Sequence, residues 1–127
     1  MAKWVRSGVL DNGLNDIKTV ATKMLLLSTY TAGDTYAVVF ANRLNAGVTM
    51  VAADFTLAAV GNNRTLTTAA GKADTATATA ATPNLHIAFT DGVGVVIWVT
   101  DETSDQPITS GNTINFPALV YTSQQPV

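Results

Sequence analysis

From Met24 onward the chain consists of short segments rich in threonine, valine, alanine and aromatic residues, separated by glycine-containing turns. β-Branched and aromatic residues favour strands, while glycine beside asparagine or aspartate favours the turns between them. The turn signals are Gly33-Asp34, Asn45-Ala46-Gly47, Gly61-Asn62-Asn63, Gly71-Lys72, Asp91-Gly92 and Gly111-Asn112. This spacing is typical of a sandwich or barrel, so we predict a mainly β fold, an antiparallel β-sandwich of jelly-roll or immunoglobulin-like type.

The individual elements follow from hydrophobic periodicity. Strands are predicted at residues 23–28, 36–41, 48–52, 55–59, 64–69, 73–80, 84–90, 93–100, 113–116 and 119–121. One helix is predicted at residues 8–21, with Ser7 as its N-cap and Asp11 near the positive end of its dipole. A chain of 127 residues suits one core. We therefore predict a single domain over 1–127, with the sandwich at about 23–122.

The clearest local pattern is a hairpin at Asp91-Gly92, a dipeptide suited to a two-residue type I′ turn. Such a loop places Thr90 opposite Val93 and His86 opposite Ile97. The residues expected on the core face are Leu85, Ile87, Phe89, Val96 and Trp98. Because residues 93–99 are apolar on both faces, this strand is predicted to be central, its second face covered by another element or another subunit.

Threonine and alanine alternate over residues 75–80. A period of two fits a strand with a hydroxyl face and a small-residue face, and β-branching favours that strand over a flexible low-complexity loop.

Composition narrows the classes of function. Charged residues make up 13% of the chain, against about 25% in ordinary domains. So few charges indicate that neighbouring copies or a partner cover part of the exterior. The seven cations are scattered and the net charge is -2, so nucleic acid is not an expected partner. Cysteine is absent. No signal peptide and no run of about 20 apolar residues is present, so we expect no membrane association.

Residues suited to catalysis are sparse. His86 is the only histidine, and its expected position within a strand favours a packed structural role. Asp101, Glu102 and Asp105 form the only acidic cluster, whose spacing does not match a calcium loop and is typical of a solvated loop. No G-x-S-x-G occurs. We predict no enzyme activity, no catalytic or metal-binding residues and no cofactor. Trp4, near the terminus, is a candidate anchor for a neighbouring subunit.

Two blocks of sequence carry a resemblance to a known family. The first is residues 9–28, VLDNGLNDIKTVATKMLLLS, and the second runs from Asn63-Arg64-Thr65-Leu66 through LHIAFTDG at 85–92 to QPITSGNTINFPA at 106–118. Together they resemble small structural proteins of tailed-bacteriophage virions, and they cover about two thirds of the chain. Residues 29–47 do not align with the longer polar insertion of that family.

The resemblance implies a virion component assembled in the host cytoplasm, above all a capsid decoration or cement protein. Its implied partners are the major capsid protein or other virion proteins, with homo-oligomers expected on a symmetric particle. A collar, neck or tail position stays open. A carbohydrate- or receptor-binding module is the alternative, because sandwiches of this size support such sites on their loops.

Overall fold

A computed structural model describes residues 3–126, of which strands form the larger share: 38% of the residues are strand and 19% are helix. The helices are α1 (Ser7–Val20) and α2 (Tyr36–Ala41), with a 3-10 turn at Ala52–Asp54. The strands are β1 (Lys23–Leu27), β2 (Val48–Thr49), β3 (Phe55–Val60), β4 (Asn63–Thr68), β5 (Lys72–Thr75), β6 (His86–Thr90), β7 (Val96–Asp101), β8 (Thr113–Phe116) and β9 (Val120–Ser123). The prediction of a mainly antiparallel β fold with an N-terminal helix is confirmed.

Within that part of the chain the strands form three antiparallel sheets. Sheet 1 has the order β2-β1-β6-β7, sheet 2 the order β3-β4-β9, and sheet 3 joins β5 to β8. One core connects sheet 1 to sheet 2, and Phe89 of β6 meets Phe55 of β3 edge to face, with 5.9 Å between ring centroids. The core also takes in the buried side of α1, which consists of Leu10, Leu14 and Ile17. Packing of sheets through their apolar faces gives the sandwich-like arrangement.

The second face of sheet 1 is covered by α2, where the sequence predicted a strand at 36–41. Thr35 caps this helix, since its hydroxyl oxygen accepts the Val38 N–H at 3.5 Å. Val39 is then turned inward, 1% exposed, onto a small cluster with Leu25 and Ala88. The prediction of a strand here was wrong because the buried contact of Val39 outweighs the β propensity of the YAVVF segment. The sequence predicted that another element or another subunit covers the second face of this sheet, and the covering element is α2 of the same chain.

The β6–β7 hairpin differs from its prediction in loop length and register. Thr90 pairs with Val96 and Phe89 with Trp98, so the loop spans residues 91–95. The Asp91 carboxylate accepts backbone N–H groups from the three residues that follow Gly92, at 2.8–2.9 Å, and this network stabilises a longer loop than the predicted two-residue turn. Leu85, Ile87, Phe89 and Trp98 share the main core as predicted, whereas Val96 packs in the smaller cluster.

The prediction that β7 is central was also wrong, since β7 is an edge strand of sheet 1. β6 lies inside instead, because it pairs with β1 on its other side, from Lys23 opposite Thr90 to Leu27 opposite His86. The four residues 24–27 of β1 are all buried, which is typical of a strand covered on both faces.

The alternation of threonine and alanine has the predicted outcome. Thr75, Thr77 and Thr79 are exposed, while Ala76 is buried and the alanines at 78 and 80 pack against the core. Regular pairing covers only Lys72–Thr75, and the rest of the segment is held by isolated bridges from Ala76 to Asn45 and from Ala80 to Ile108.

Three local predictions need correction. Arg6, with no side-chain hydrogen bond, is the N-cap of α1, and Ser7 is the first helical residue. Asp11 lies beyond the first turn and accepts a hydrogen bond from Arg64 Nε at 2.7 Å, so its partner is a side chain. The strand predicted at 48–52 ends at Thr49, because Asp54 accepts the Val51 N–H at 2.9 Å and bends the chain into the 3-10 turn.

The stability of the Asp91 loop is expected to depend on pH. Hydrogen bonds from the N–H groups of Gly94, Val95 and Val93, in that order of size, lower the pKa of Asp91 below its ordinary 3.8. A lowered pKa means that the carboxylate stabilises the loop fully above pH 3.8 and loses this effect as the pH falls through the lower folded value. We expect amide exchange of residues 93–95 to be several-fold faster in Asp91→Ala than in the wild type at pH 6.

Asp91→Asn is the matched control, because it keeps a side-chain oxygen and removes the charge. Its exchange rates should lie between those of the wild type and Asp91→Ala, as measured by nuclear magnetic resonance. Equal rates in the three proteins would show that the carboxylate does not organise the loop.

Candidate docking surface

The outer face of sheet 2 is a continuous surface built from uncharged residues. Strand alternation builds it: Phe55 and Leu66 point into the core, so their neighbours along β3 and β4 point outward. Antiparallel pairing aligns the outward residues in rows, with Thr56 opposite Thr67 and Ala58 opposite Thr65. The residues of this outer face are Thr56, Ala58, Val60, Asn63, Thr65, Thr67, Val120 and Thr122.

Val60 and Val120 lie on opposite strands of the outer face and are 60% and 58% exposed. Thr65, in the middle strand between them, is only 6% exposed because both neighbouring strands flank it. None of the residues of the outer face is charged. An ordinary solvent-facing sheet surface carries polar and charged side chains, and an uncharged one is typical of a surface that packs against another protein.

Four charged residues around sheet 2 are held in two ion pairs. Arg64 lies on the core side of β4 and pairs with Asp11 of α1 at 2.7 Å. Lys72 Nζ lies 2.9 Å from Asp54 Oδ1 at the start of β3, and its hydrogen bond is the main reason that the pKa of Asp54 lies below its ordinary value. These pairs leave the middle of the outer face to hydroxyl and apolar groups.

Two further apolar groups project from other parts of the molecule. Val93 and Val95, in the loop organised by Asp91, are 84% and 50% exposed. Trp4 is 71% exposed, as a candidate anchor for a neighbouring subunit requires. Gln125 fixes the backbone beside Trp4, since its side chain bonds both the N–H and the carbonyl of Val5 at 2.9 Å.

A groove of about 230 Å³ lies between α1, β7 and β9. Trp98 and Tyr121 form its aromatic wall, with their rings edge to face at 5.5 Å, and Asp16 lies at its border. Aromatic rings beside a carboxylate are the groups expected of a sugar-binding groove, which keeps the alternative of a carbohydrate-binding module open.

Of the acidic cluster, Asp101 lies beside the histidine, whereas Glu102 lies on the other side of the sheet, at a cleft. A cleft of about 300 Å³ has an apolar floor that includes Leu85 and Ile87, and Glu102 lies at its rim. His86 belongs to the opposite face of β6: its ring packs near Tyr30 at 5.7 Å, and Nε2 lies 3.7 Å from Asp101. The imidazole therefore points away from the cleft, and 16% of its side chain is exposed at the start of β6, opposite Asp101.

The three acidic side chains contact different partners within the protein and do not converge on one point. Asp105 accepts the Leu85 N–H at 2.7 Å, and Glu102 accepts the Ser104 N–H at 3.0 Å. Over residues 3–126 no group of three acidic or histidine side chains is arranged to hold a metal ion. In the same part of the chain, no helix has the length and apolar character needed to cross a bilayer.

Comparisons with known proteins assign no family to the chain, because no family model, no curated protein and no solved structure matches it.

Sequence reasoning did not locate the outer face. The low charge of the chain predicts a covered surface, but the position of the candidate surface depends on the pairing of β4 with β9. These strands are more than fifty residues apart in the chain, and no local pattern specifies their register.

Proposed function

We propose that this chain is a structural component of a tailed-phage virion, and specifically a capsid decoration or cement protein. The observation that carries the proposal is the uncharged outer face of sheet 2, which suits burial against another virion protein. The resemblance of residues 9–28 and of the blocks between 63 and 118 to small virion proteins supplies the class of partner, the major capsid protein. A collar, neck or tail position uses the same kind of surface.

The mechanism of such a protein is burial of surface at junctions between subunits. Each copy docks weakly, but a symmetric particle repeats the same contact many times. Hydroxyl groups such as those of Thr56 and Thr122 can bond to a partner's backbone, and the valines of the outer face supply apolar area without a cost for desolvating charge.

Mass spectrometry of gradient-purified particles from a host that produces the chain tests the class of function. The chain should be present in many copies for each particle. Its absence from intact particles would reject the proposal.

The double variant Val120→Lys with Thr122→Lys tests the surface itself. Both residues are exposed on β9, so the variant should fold, but docking would bury two ammonium groups. We expect its binding to particles lacking the chain to be at least about 100-fold weaker, measured by co-sedimentation.

Thr75→Lys with Thr77→Lys is the matched control, because it adds the same charge to exposed threonines outside the outer face. It should bind like the wild type. Equal binding by all three proteins would show that particles contact another surface.

The groove with Trp98, Tyr121 and Asp16 supports a second candidate, a carbohydrate-binding module. Binding of the isolated chain to a glycan array, lost in Asp16→Ala, would favour it over the first.

A further inference from the structure

The free edge of β3 carries backbone groups that face away from its partner strand. The N–H of Ala69 donates to the carbonyl of Asp54 at 2.8 Å, which sets the alternation of the β3–β4 ladder. Residues 56, 58 and 60 therefore bond to β4, whereas Phe55, Leu57 and Ala59 direct their N–H and carbonyl groups outward. The Phe55 N–H donates to the Ala52 carbonyl in the 3-10 turn, which leaves the Phe55 carbonyl and the N–H and carbonyl groups of Leu57 and Ala59 for a partner strand.

This edge lacks the features that normally prevent strand pairing between molecules. β3 contains no charged residue and no proline, and its six pairs with β4 run without a bulge. The other edges are shorter or interrupted: β2 has only two residues, β5, β8 and β9 have four each, and the β6–β7 ladder has a register shift and ends at Asp101. β3 is the longest unprotected edge in the described part of the chain.

We propose that two copies of this chain associate by antiparallel pairing of their β3 edges about a two-fold axis at Leu57. Phe55 of one copy then lies opposite Ala59 of the other, where the Ala59 N–H donates to the Phe55 carbonyl, and the two Leu57 residues exchange both of their backbone hydrogen bonds. An antiparallel edge is complementary to itself, which favours a second copy as the occupant.

Charge is compatible with this pairing. Asp54 comes to lie opposite Val60 of the other copy and is already paired with Lys72, so no like charges meet across the axis. The two copies form a continuous six-stranded sheet from two three-stranded ones, and their outer faces become one uncharged surface. The inference rests on the edge alone and does not require the proposed function.

Sedimentation of the isolated chain over a concentration series tests the inference, with a reversible dimer expected. Ala59→Pro removes an outward N–H without removing a bond to β4, a position where an edge strand tolerates proline. Because the change occurs twice across the axis, the dissociation constant of the dimer should rise by about 30-fold or more. Val120→Lys with Thr122→Lys should leave dimerisation unchanged, which separates the edge from the outer face.

Hydrogen exchange of the wild-type chain gives a readout that does not depend on the variant folding. The amides of Leu57 and Ala59 should become protected as the concentration rises, while those of Thr56 and Ala58 are protected throughout. A chain that stays monomeric at millimolar concentration, a Leu57 amide that remains unprotected, or a dimer unaffected by a folded Ala59→Pro would each overturn the inference.

Discussion

Replacing Phe89 with alanine is expected to lower the free energy of unfolding by about 3–5 kcal/mol. The Phe89 ring is fully buried, at 0% exposed, and it stacks on Trp98 at 4.8 Å while meeting Phe55 edge to face. It therefore connects the inner strand β6 both to the edge strand β7 and to sheet 2. Its removal leaves a cavity where the two sheets pack together, and urea unfolding monitored by circular dichroism measures the loss.

Phe40→Ala is the matched control for this experiment. Phe40 lies on the outer side of α2, is 41% exposed, and has the Arg43 guanidinium 3.6 Å from its ring centroid. Its ring also stacks on Tyr36 at 5.8 Å, but both contacts are at the surface, so the loss should cost about 1 kcal/mol. Equal costs for the two substitutions would contradict the assignment of Phe89 to the core between the sheets.

Asn45→Ala is expected to lower the free energy of unfolding by about 2–4 kcal/mol, although it removes no apolar surface. Asn45 is 0% exposed; its side-chain oxygen accepts the Leu26 N–H at 2.8 Å and its amide donates to Asp74 at 3.0 Å. The substitution leaves the buried Leu26 N–H and an Asp74 carboxylate oxygen without their hydrogen-bond partner Asn45. Asn45 thus joins β1 of sheet 1 to β5 of sheet 3.

Asn115→Ala serves as the control, since Asn115 is exposed on β8. Its effect should stay within about 0.5 kcal/mol of the wild type. A similarly small effect for Asn45→Ala would show that the polar connection between sheets 1 and 3 does not contribute to stability.

Patterns with a strict period were predictive of this fold. The three- and four-residue spacing of Leu10, Leu14 and Ile17 predicted α1, and the alternation at 75–80 predicted which side of that segment is exposed. Both patterns are local. They predict the structure correctly because the apolar side of α1 and the alanine side of residues 75–80 both pack against the main core.

Predictions failed where distant contacts or side-chain hydrogen bonds decide the conformation. The β-prone residues 36–41 are helical because Val39 covers the second face of sheet 1, a site formed by strands far along the chain. The register of β6 and β7 depends on three hydrogen bonds that the Asp91 carboxylate accepts from the N–H groups of residues 93–95. The dipeptide Asp91-Gly92 alone does not predict these hydrogen bonds. An apolar run alone also did not distinguish the edge strand β7 from the central strand β1.

The sequence predicts a docking surface but not its position. A charged fraction of 13% predicts a covered exterior, and the resemblance to virion proteins predicts which class of protein would cover it. The rows formed by Thr56 with Thr67, and by Thr65 with Thr122, exist only once β3, β4 and β9 are paired.

The most direct test of the central claim, that this chain decorates a capsid through the outer face of sheet 2, is a particle reconstruction at a resolution that identifies strands. The expected result is density for the chain on the head, with Val120 and Thr122 buried against another virion protein. Particles without such density, or with the outer face turned to solvent, would contradict the claim.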